Sequence, residues 1–323
     1  MILITGSAGY IGSEICKKFE ELKINYIGID NLKYSNEYNI HNKKKFIKTC
    51  FSNDKIINKI LKEKKIQTII HCAAYAYVLD AEKNKKYYFN NNIKKTKKFI
   101  EYSIKNKIDN FIFLSSSNVY SEKKKNSSFR EMDEKKPKNY YGKTKLVVEN
   151  FLINKKNKLK NITILRLFNI IGLTKKFTPY DKDNFKYQRI LFKMFNQMKK
   201  KKPININYFK KDIYDKKIFP ERDFLDIRDL TNLVSSISKK IDDKKGLKIY
   251  NVGKGKSQSL MKIAEYLKLY SGKKLLIKFK ELHKKEYLFT MSSIKKIKKD
   301  FKWSPKISLK KSILSYYKHL LIR

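Results

Sequence analysis

Tyr141 and Lys145 stand four residues apart in Tyr141-Gly142-Lys143-Thr144-Lys145, a stretch that opens a helical pattern. Residues i and i+4 of a helix project from one face, so the phenol and the ammonium share one space. A phenol is a poor base at neutral pH. Lowering its pKa of about 10 by roughly 3 units requires about 4 kcal/mol of preferential stabilisation of the phenolate. A lysine cation one turn away supplies part of that, and the pair is then equipped to take a proton from a hydroxyl group. Upstream, Ser115-Ser116-Ser117 closes the apolar run Phe111–Leu114 and offers one hydroxyl to hydrogen-bond the reacting oxygen. Tyr-x-x-x-Lys alone is a common coincidence in a chain this rich in both residues. Its weight comes from the elements around it.

Those elements alternate. Met1–Thr5, Tyr26–Asp30, Thr68–Ala74, Phe111–Ser115, Ile162–Leu167 and Lys248–Val252 read as buried strands. Between them Gly12–Leu22, Asn91–Asn106 and Tyr141–Asn154 carry helical patterns. The spacing predicts an α/β fold, a doubly wound parallel sheet of the Rossmann type. Strand ends of such sheets are where ligands bind, which places the serines and Tyr141 at one edge. The first strand runs directly into Thr5-Gly6-Ser7-Ala8-Gly9-Tyr10-Ile11-Gly12 and then into a helix. Gly6 and Gly9 let backbone N–H groups approach a pyrophosphate at the helix N-terminus, and Gly12 lets helix and strand pack closely. The second strand ends in Asp30, 18 residues after Gly12. A carboxylate there accepts ribose hydroxyls and repels a 2′-phosphate, so NAD is favoured over NADP as cofactor.

After Asn169 the alternation breaks. Gly172–Lys186 is polar and turn-rich, and a strand-like piece at Ile204–Phe209 and two helical stretches, Ser257–Ser271 and Ser308–Leu320, follow. The expected division is an NAD-binding domain over residues 1–168 plus roughly 223–252, with a smaller, interleaved substrate domain over 169–222 and 253–323. With 41% hydrophobic and 13% aromatic residues, the 323-residue chain can bury a core despite a mean hydropathy of −0.60. No apolar run approaches the roughly 20 residues of a membrane helix, and the first motif begins too early for a signal peptide. Cys16, Cys50 and Cys72 form no metal or disulfide pattern, so no metal is expected and a reducing cytoplasm is.

The formal charge of +47 raises nucleic-acid binding. Only Arg130, Arg166, Arg189, Arg222, Arg228 and Arg323 are arginine among 77 basic residues. Recognition of phosphates and bases recruits the arginine fork, whereas here lysine is spread over nearly every segment together with Asn and Ile. Genomic base bias is the simpler cause, and no specific nucleic-acid partner is expected. The field should still attract anionic substrates.

The chain resembles the extended short-chain dehydrogenase/reductases, and among these the UDP-glucose 4-epimerase-like members of the NAD-dependent epimerase/dehydratase family. The likeness runs through TGSAGYIGSE at 5–14, IDNL at 29–32, HCAA at 71–74, YYFNNN at 87–92, FLSSSNVY at 113–120, YYGKTK at 140–145, LRLFN at 165–169, RDFLDIRDL at 222–230 and YNVGKG at 250–255. It implies Tyr141 as base, Lys145 on the nicotinamide ribose and Ser116, four before Tyr120, as the hydroxyl partner. It adds Tyr10, Ile11, Asn31, Ala73, Asn92 and Phe168 to the cofactor set of Gly6, Gly9, Gly12 and Asp30. Asn169 and Arg222 are implied as substrate contacts, with His283 where an arginine grips the diphosphate and Glu286 in place of the following Asp. Thr290 falls near the position bordering the C2 substituent, and its small size implies a pocket open to N-acetyl sugars.

The implied activity is C4 epimerisation of a UDP-sugar, UDP-glucose/UDP-galactose or the N-acetyl equivalents, through a transient 4-keto sugar. Dehydratases and decarboxylases of this fold place an acid two positions before Tyr120. Here Asn118 stands there and cannot serve as one. Another nucleotide-sugar epimerase or a reductase of the family is the alternative, and a non-catalytic NAD-binding protein contacting nucleic acid the reading from another class. Other departures are Cys50 in place of an aspartate against the adenine amine, Ala76 in place of a lysine, and Asp226 in place of a histidine. The resemblance also implies a homodimer, through helices near 91–107 and 141–155.

Overall fold

The computed structural model describes residues 1–177, 190–211, 216–241, 245–272 and 274–321. Its strands, in chain order, are β1 (Ile2–Thr5), β2 (Tyr26–Asp30), β3 (Phe46–Lys48), β4 (Thr68–His71), β5 (Asn110–Ser116), β6 (Asn161–Leu167), β7 (Asn169–Ile171), β8 (Ile204–Lys211), β9 (Lys216–Ile218), β10 (Glu221–Asp226), β11 (Gly246–Val252), β12 (Ser257–Ser259) and β13 (Ile277–Glu281). Seven of them form one parallel sheet in the order β11-β6-β5-β4-β1-β2-β3.

The near-continuous apolar runs of β1, β4, β5 and β6 follow from burial on both faces, since side chains alternate sides at every residue. Leu3, Ile69, Phe111, Phe113, Ile162 and Ile164 meet Ile57, Phe99, Val148 and Leu152 from the helices Asp54–Glu63, Thr96–Lys105 and Tyr140–Asn154. Their neighbours Ile4, Ile70, Ile112, Leu114 and Leu165 share the opposite core with Ile15 and Phe19 of helix Tyr10–Glu21 and Leu230, Leu233 and Val234 of helix Ile227–Lys240. Each fully buried aliphatic or aromatic side chain of this kind contributes roughly 1.5–3 kcal/mol. From β1 the chain winds outward through β2 and β3, then returns to β4 and winds the other way through β5 and β6. The reversal leaves a crevice at the carboxyl ends of β1 and β4, the place where ligands bind in such sheets.

Several boundaries differ from the sequence reading. The strand expected over Thr68–Ala74 ends at His71. Beyond it, side-chain oxygens take the backbone donors: Thr5 Oγ1 accepts from the Ala73 N–H at 3.2 Å and Asn92 Oδ1 from the Tyr75 N–H at 2.9 Å, drawing the chain out of the ladder. The helix expected over Asn91–Asn106 has its first turns, Phe89–Lys95, wound as a π-helix. The stretch Ser257–Ser271 is not helical throughout. Ser257–Ser259 pairs as β12, and Ser259 then caps helix Leu260–Ser271 by accepting from the Met261 N–H at 3.2 Å. The edge strand β3 is three residues long, too short for a period to show. The turn-rich segment expected over Gly172–Lys186 lies outside the described residues beyond Phe177.

Two three-stranded sheets, β12-β10-β7 and β13-β8-β9, stand beside the large one. Both join strands distant in sequence: β7 runs parallel to β10 with Asn169 opposite Phe224, and β8 parallel to β13 with Asn207 opposite Lys280. No helix among the described residues is long and apolar enough to cross a membrane.

Candidate active site

A cavity of about 1110 Å³ opens at the carboxyl ends of β1, β4, β5 and β6 and continues to β8, β10 and β13. Its floor is the glycine turn. A Cβ on Gly12 would lie 2.1 Å from the Gly6 carbonyl oxygen, so only glycine lets the helix start so close to β1. Gly9 precedes helix Tyr10–Glu21, and no side chain caps that terminus. Its first-turn N–H groups therefore face the cavity without a side-chain acceptor, as pyrophosphate binding requires. Tyr10 and Ile11 line the cavity as well, and the Tyr10 hydroxyl donates to the Gly172 carbonyl at 2.6 Å.

Asp30, at the end of β2, stands beside the glycine turn. Its carboxylate accepts from the Ala8 and Leu32 N–H groups at 3.2 and 2.9 Å and from the Ser35 hydroxyl at 2.7 Å. A smaller hollow of about 110 Å³ beside it is lined by Gly6, Gly9, Asp30, Asn31, Cys50 and Ala73, among others. Asn92 lines neither space. Its side chain accepts from the Tyr75 N–H and donates to the Tyr75 carbonyl, both at 2.9 Å, and so braces the loop after β4. The glycine turn, the uncapped helix start and the carboxylate together fit a dinucleotide.

Ser116 ends β5, Tyr141 sits in the first turn of helix Tyr140–Asn154, and Lys145 lies one turn on; all three line the large cavity and are buried. The Lys145 ammonium donates to the Leu114 carbonyl at 2.8 Å and stands 4.8 Å from the centre of the Phe113 ring. Burial lowers it from an ordinary 10.5 to about 8, against the opposing fields of Cys72 and Glu149. Behind it lies a fully buried ion pair. Glu149 is 0% exposed and Arg166 1%, with Arg166 Nη2 2.7 Å from Glu149 Oε2 and Nε 3.1 Å from both carboxylate oxygens. The remaining partners are supplied by Ser115, Tyr120 and the Glu131 carbonyl. A buried pair so completely hydrogen-bonded costs roughly 3–5 kcal/mol to break by removing one partner. Nothing in the spacing of Glu149 and Arg166 announces it.

Phe168, expected at the cofactor, lines the cavity, as do Asn169, Arg222, His283 and Glu286, expected at the substrate. Arg222 Nη1 donates to the Glu221 and Leu288 carbonyls at 3.1 and 2.9 Å. Burial lowers its pKa to about 10, with Glu286 and Glu122 pulling the other way. His283 stands at the exposed rim, its Nδ1 accepting from the Lys285 N–H at 3.2 Å. Thr290 is displaced from its expected place. It is 7% exposed, lines no part of the cavity, and donates its N–H to the Glu221 carbonyl at 3.1 Å; the Asp223 N–H reaches its hydroxyl at 3.4 Å. The pairing of this tail with β10 turns Thr290 inward, and neither it nor Phe289 nor Met291 lines the cavity.

Asp226 has a structural task. It caps helix Ile227–Lys240 and holds Arg228 through both carboxylate oxygens at 2.7 and 2.8 Å. His71 is bonded through Nδ1 to Thr5 Oγ1 at 2.8 Å and through Nε2 to Thr96 Oγ1 at 3.3 Å. Cavity residues that sequence reasoning missed are Asn118, Lys193, Gln197, Asn205, Asn207 and Lys280. Asn205 and Asn207 alternate with the buried Ile204 and Ile206, a period-2 signal that was legible in β8. The Gln197 amide oxygen is buried on the wall without a hydrogen-bond partner among the described residues, an acceptor suited to a ligand donor.

Comparison with known proteins places these features. The profile of the NAD dependent epimerase/dehydratase family matches residues 2–253. An uncharacterized protein of Methanocaldococcus jannaschii is 30% identical over 97% of this chain and 93% of its own length. UDP-arabinose 4-epimerase 1 of Arabidopsis thaliana is 27% identical over 97% of this chain and 77% of its own. The crystal structure of UDP-glucuronic acid 4-epimerase from Bacillus cereus, in complex with UDP-glucuronic acid and NAD, superposes with a TM-score of 0.85 at 27% identity, covering 99% of this chain and 98% of that one.

Proposed function

The chain belongs to the NAD-dependent epimerase/dehydratase family, and from that premise we propose that it interconverts the C4 configurations of a UDP-sugar. The observation that carries this reading is the convergence of Ser116, Tyr141 and Lys145 on one cavity shared with the glycine turn, with an amide at Asn118 where an acid would direct chemistry to a neighbouring carbon. Similar proteins named as 4-epimerases of UDP-arabinose and UDP-glucuronic acid support it.

Gly6, Gly9, Gly12, the start of helix Tyr10–Glu21 and Asp30 would hold NAD, whose chemistry is to accept a hydride from C4 and return it. Tyr141 takes the proton of the C4 hydroxyl and gives it back once the configuration has changed. Lys145, positive below about pH 8, favours the phenolate form of Tyr141 that this requires. Ser116 hydrogen-bonds the same oxygen. Arg222, with Asn169, His283 and Glu286 nearby, holds the diphosphate and ribose while the sugar turns, and Gln197 offers its oxygen, which has no partner among the described residues, to a donor of the nucleotide. Proton and hydride both return, so the reaction is redox-neutral.

Residues 1–168 with roughly 223–252 carry the cofactor in this reading, and 169–222 with 253–323 the nucleotide sugar. The pairing of β11 with β6 in the large sheet supports the return of the chain to the first unit. A homodimer through the helices near 91–107 and 141–155, and a cytoplasmic location, complete the proposal.

The test is a panel of UDP-, dTDP-, GDP- and CDP-sugars, including UDP-glucose and UDP-N-acetylglucosamine, resolved by chromatography and mass. Isomerisation of a UDP-sugar at constant mass, with no net change in NADH absorbance, is expected. Steady NADH formation or loss would identify a dehydrogenase or reductase instead, and loss of water from the sugar a dehydratase.

A further inference from the structure

Asn118 lies two residues past Ser116 and faces the same cavity. Its hydrogen bonds decide which way the Ser116 proton points. Backbone groups, whose donor and acceptor roles are fixed, set the orientation of the side-chain amides. Asn139 Oδ1 accepts from the Gly142 N–H at 2.8 Å, and Asn139 Nδ2 donates to the Lys285 carbonyl at 3.3 Å. An N–H on one side and a C=O on the other leave that amide a single orientation. Asn139 Nδ2 also donates to Asn118 Oδ1 at 3.0 Å. The opposite end of the Asn118 amide is therefore its nitrogen, which donates to Ser116 Oγ at 3.1 Å while the Asn118 backbone N–H donates to the same oxygen at 3.2 Å. A hydroxyl oxygen has two lone pairs. Both are taken, and the Ser116 proton is left for an acceptor in the cavity.

We infer that Asn118 is a positioning residue that commits Ser116 to donating its hydrogen bond toward the reacting oxygen. The inference rests on the C4 reading above. Direction matters because the C4 oxygen gains negative charge as its proton leaves, and a preorganised donor stabilises that charge where an acceptor would repel it. The fold holds the arrangement from both sides. A Cβ on Gly142 would stand 2.0 Å from the Asn118 carbonyl oxygen, so glycine there lets the Tyr141 helix close onto the turn after β5. The Tyr287 hydroxyl donates to the Tyr120 carbonyl at 2.7 Å and lies 3.2 Å from the Asn118 carbonyl. The relay thus joins the serine strand end, the N-cap of the Tyr141 helix and the C-terminal tail.

Asn118→Asp tests it. The carboxylate keeps the size and the bond from Asn139 but turns a donor into an acceptor, so the Ser116 proton swings to it. With a UDP-sugar the wild type isomerises, kcat should fall by about 10-fold or more near neutral pH while KM stays close to wild type. The deficit relative to wild type should shrink as pH falls and the new carboxyl, once protonated, donates again. In a cycle with Ser116→Ala the double variant should be no slower than Ser116→Ala alone, because Asn118 acts only through that hydroxyl. Losses that multiply, or a deficit constant across pH, would overturn the inference. If Asn118→Asp does not fold, Asn118→Leu, similar in size and without a donor, takes its place in the cycle with the same expectation. A wild type that isomerises no nucleotide sugar removes the function and this inference together; an active wild type with multiplying losses removes this inference alone.

Discussion

Lys145 is a cation kept where a cation is costly. Its partners are a backbone carbonyl and an aromatic face, and burial brings it to about 8, close enough to neutrality that a small change in its surroundings alters its charge. In the proposed mechanism such an ammonium, poised near neutrality, acts on the neighbouring Tyr141 phenol. Arginine is used differently. Arg166 and Arg228 each hold a carboxylate through two nitrogens, the geometry lysine cannot supply, and Arg222 faces the cavity. At Arg166 and Arg228 the fork binds both oxygens of a carboxylate. The residue-scale prediction concerns Tyr141. Tyr141→Phe keeps the ring and removes the proton acceptor, so kcat should fall at least about 10²-fold with NAD still bound by calorimetry. Near-normal turnover in that variant would show that another group takes the proton.

The elements are held at the site by polar side chains buried between them. His71, at the end of β4, bridges Thr5 of β1 and Thr96 of the helix Thr96–Lys105, and stacks on Phe113 with ring centres 6.1 Å apart. Burial lowers it from 6.5 to about 3. The sign of the pH effect follows. Between these values the unfolded chain takes up a proton that the folded chain refuses, so stability falls as pH drops below about 6.5 and is unaffected by this group above it. At up to about 1.4 kcal/mol per pH unit, the contribution between pH 6.5 and pH 5 is about 2 kcal/mol. Urea unfolding of wild type and His71→Gln at pH 7.5 and pH 5 should show the wild type losing about that much more on acidification. Equal losses would mean that His71 protonates in the folded state.

The whole molecule carries a formal charge of +47, and every substrate proposed for it is an anion. Exposed lysines within a Debye length of an approaching diphosphate add to the field it feels, and low salt brings more of them within that length. That length shrinks from about 30 Å at 0.01 M to about 10 Å at 0.1 M salt. Across that range kcat/KM for the nucleotide sugar should fall by about 10-fold, through KM, with kcat nearly unchanged. Stopped-flow or steady-state kinetics in sodium chloride checks it. A kcat/KM independent of salt would show that the charge is spread too evenly to steer anything.

The parallel sheet, its winding and the cofactor turn were determined by local sequence. An apolar run followed by a glycine turn and an amphipathic run admits few other structures; Asp30, Ser116 and Tyr141 sit at ends of such elements, and Lys145 follows one helical turn after Tyr141. The substrate wall was decided by tertiary structure. β8 finds β13 and β7 finds β10 across long stretches of chain, and a register between distant strands leaves no periodic trace in either. Thr290 shows the consequence: counting along the tail placed it at the sugar, while the pairing of that tail beside Glu221 turned it inward. Asn118 shows the converse. From its position it reads only as the absence of an acid, and its hydrogen bonds give it a direction because Asn139, Gly142 and Lys285 are brought to it from elsewhere. Periodicity encodes which face of an element is buried; which buried or half-buried polar groups meet is fixed only when those faces are packed together.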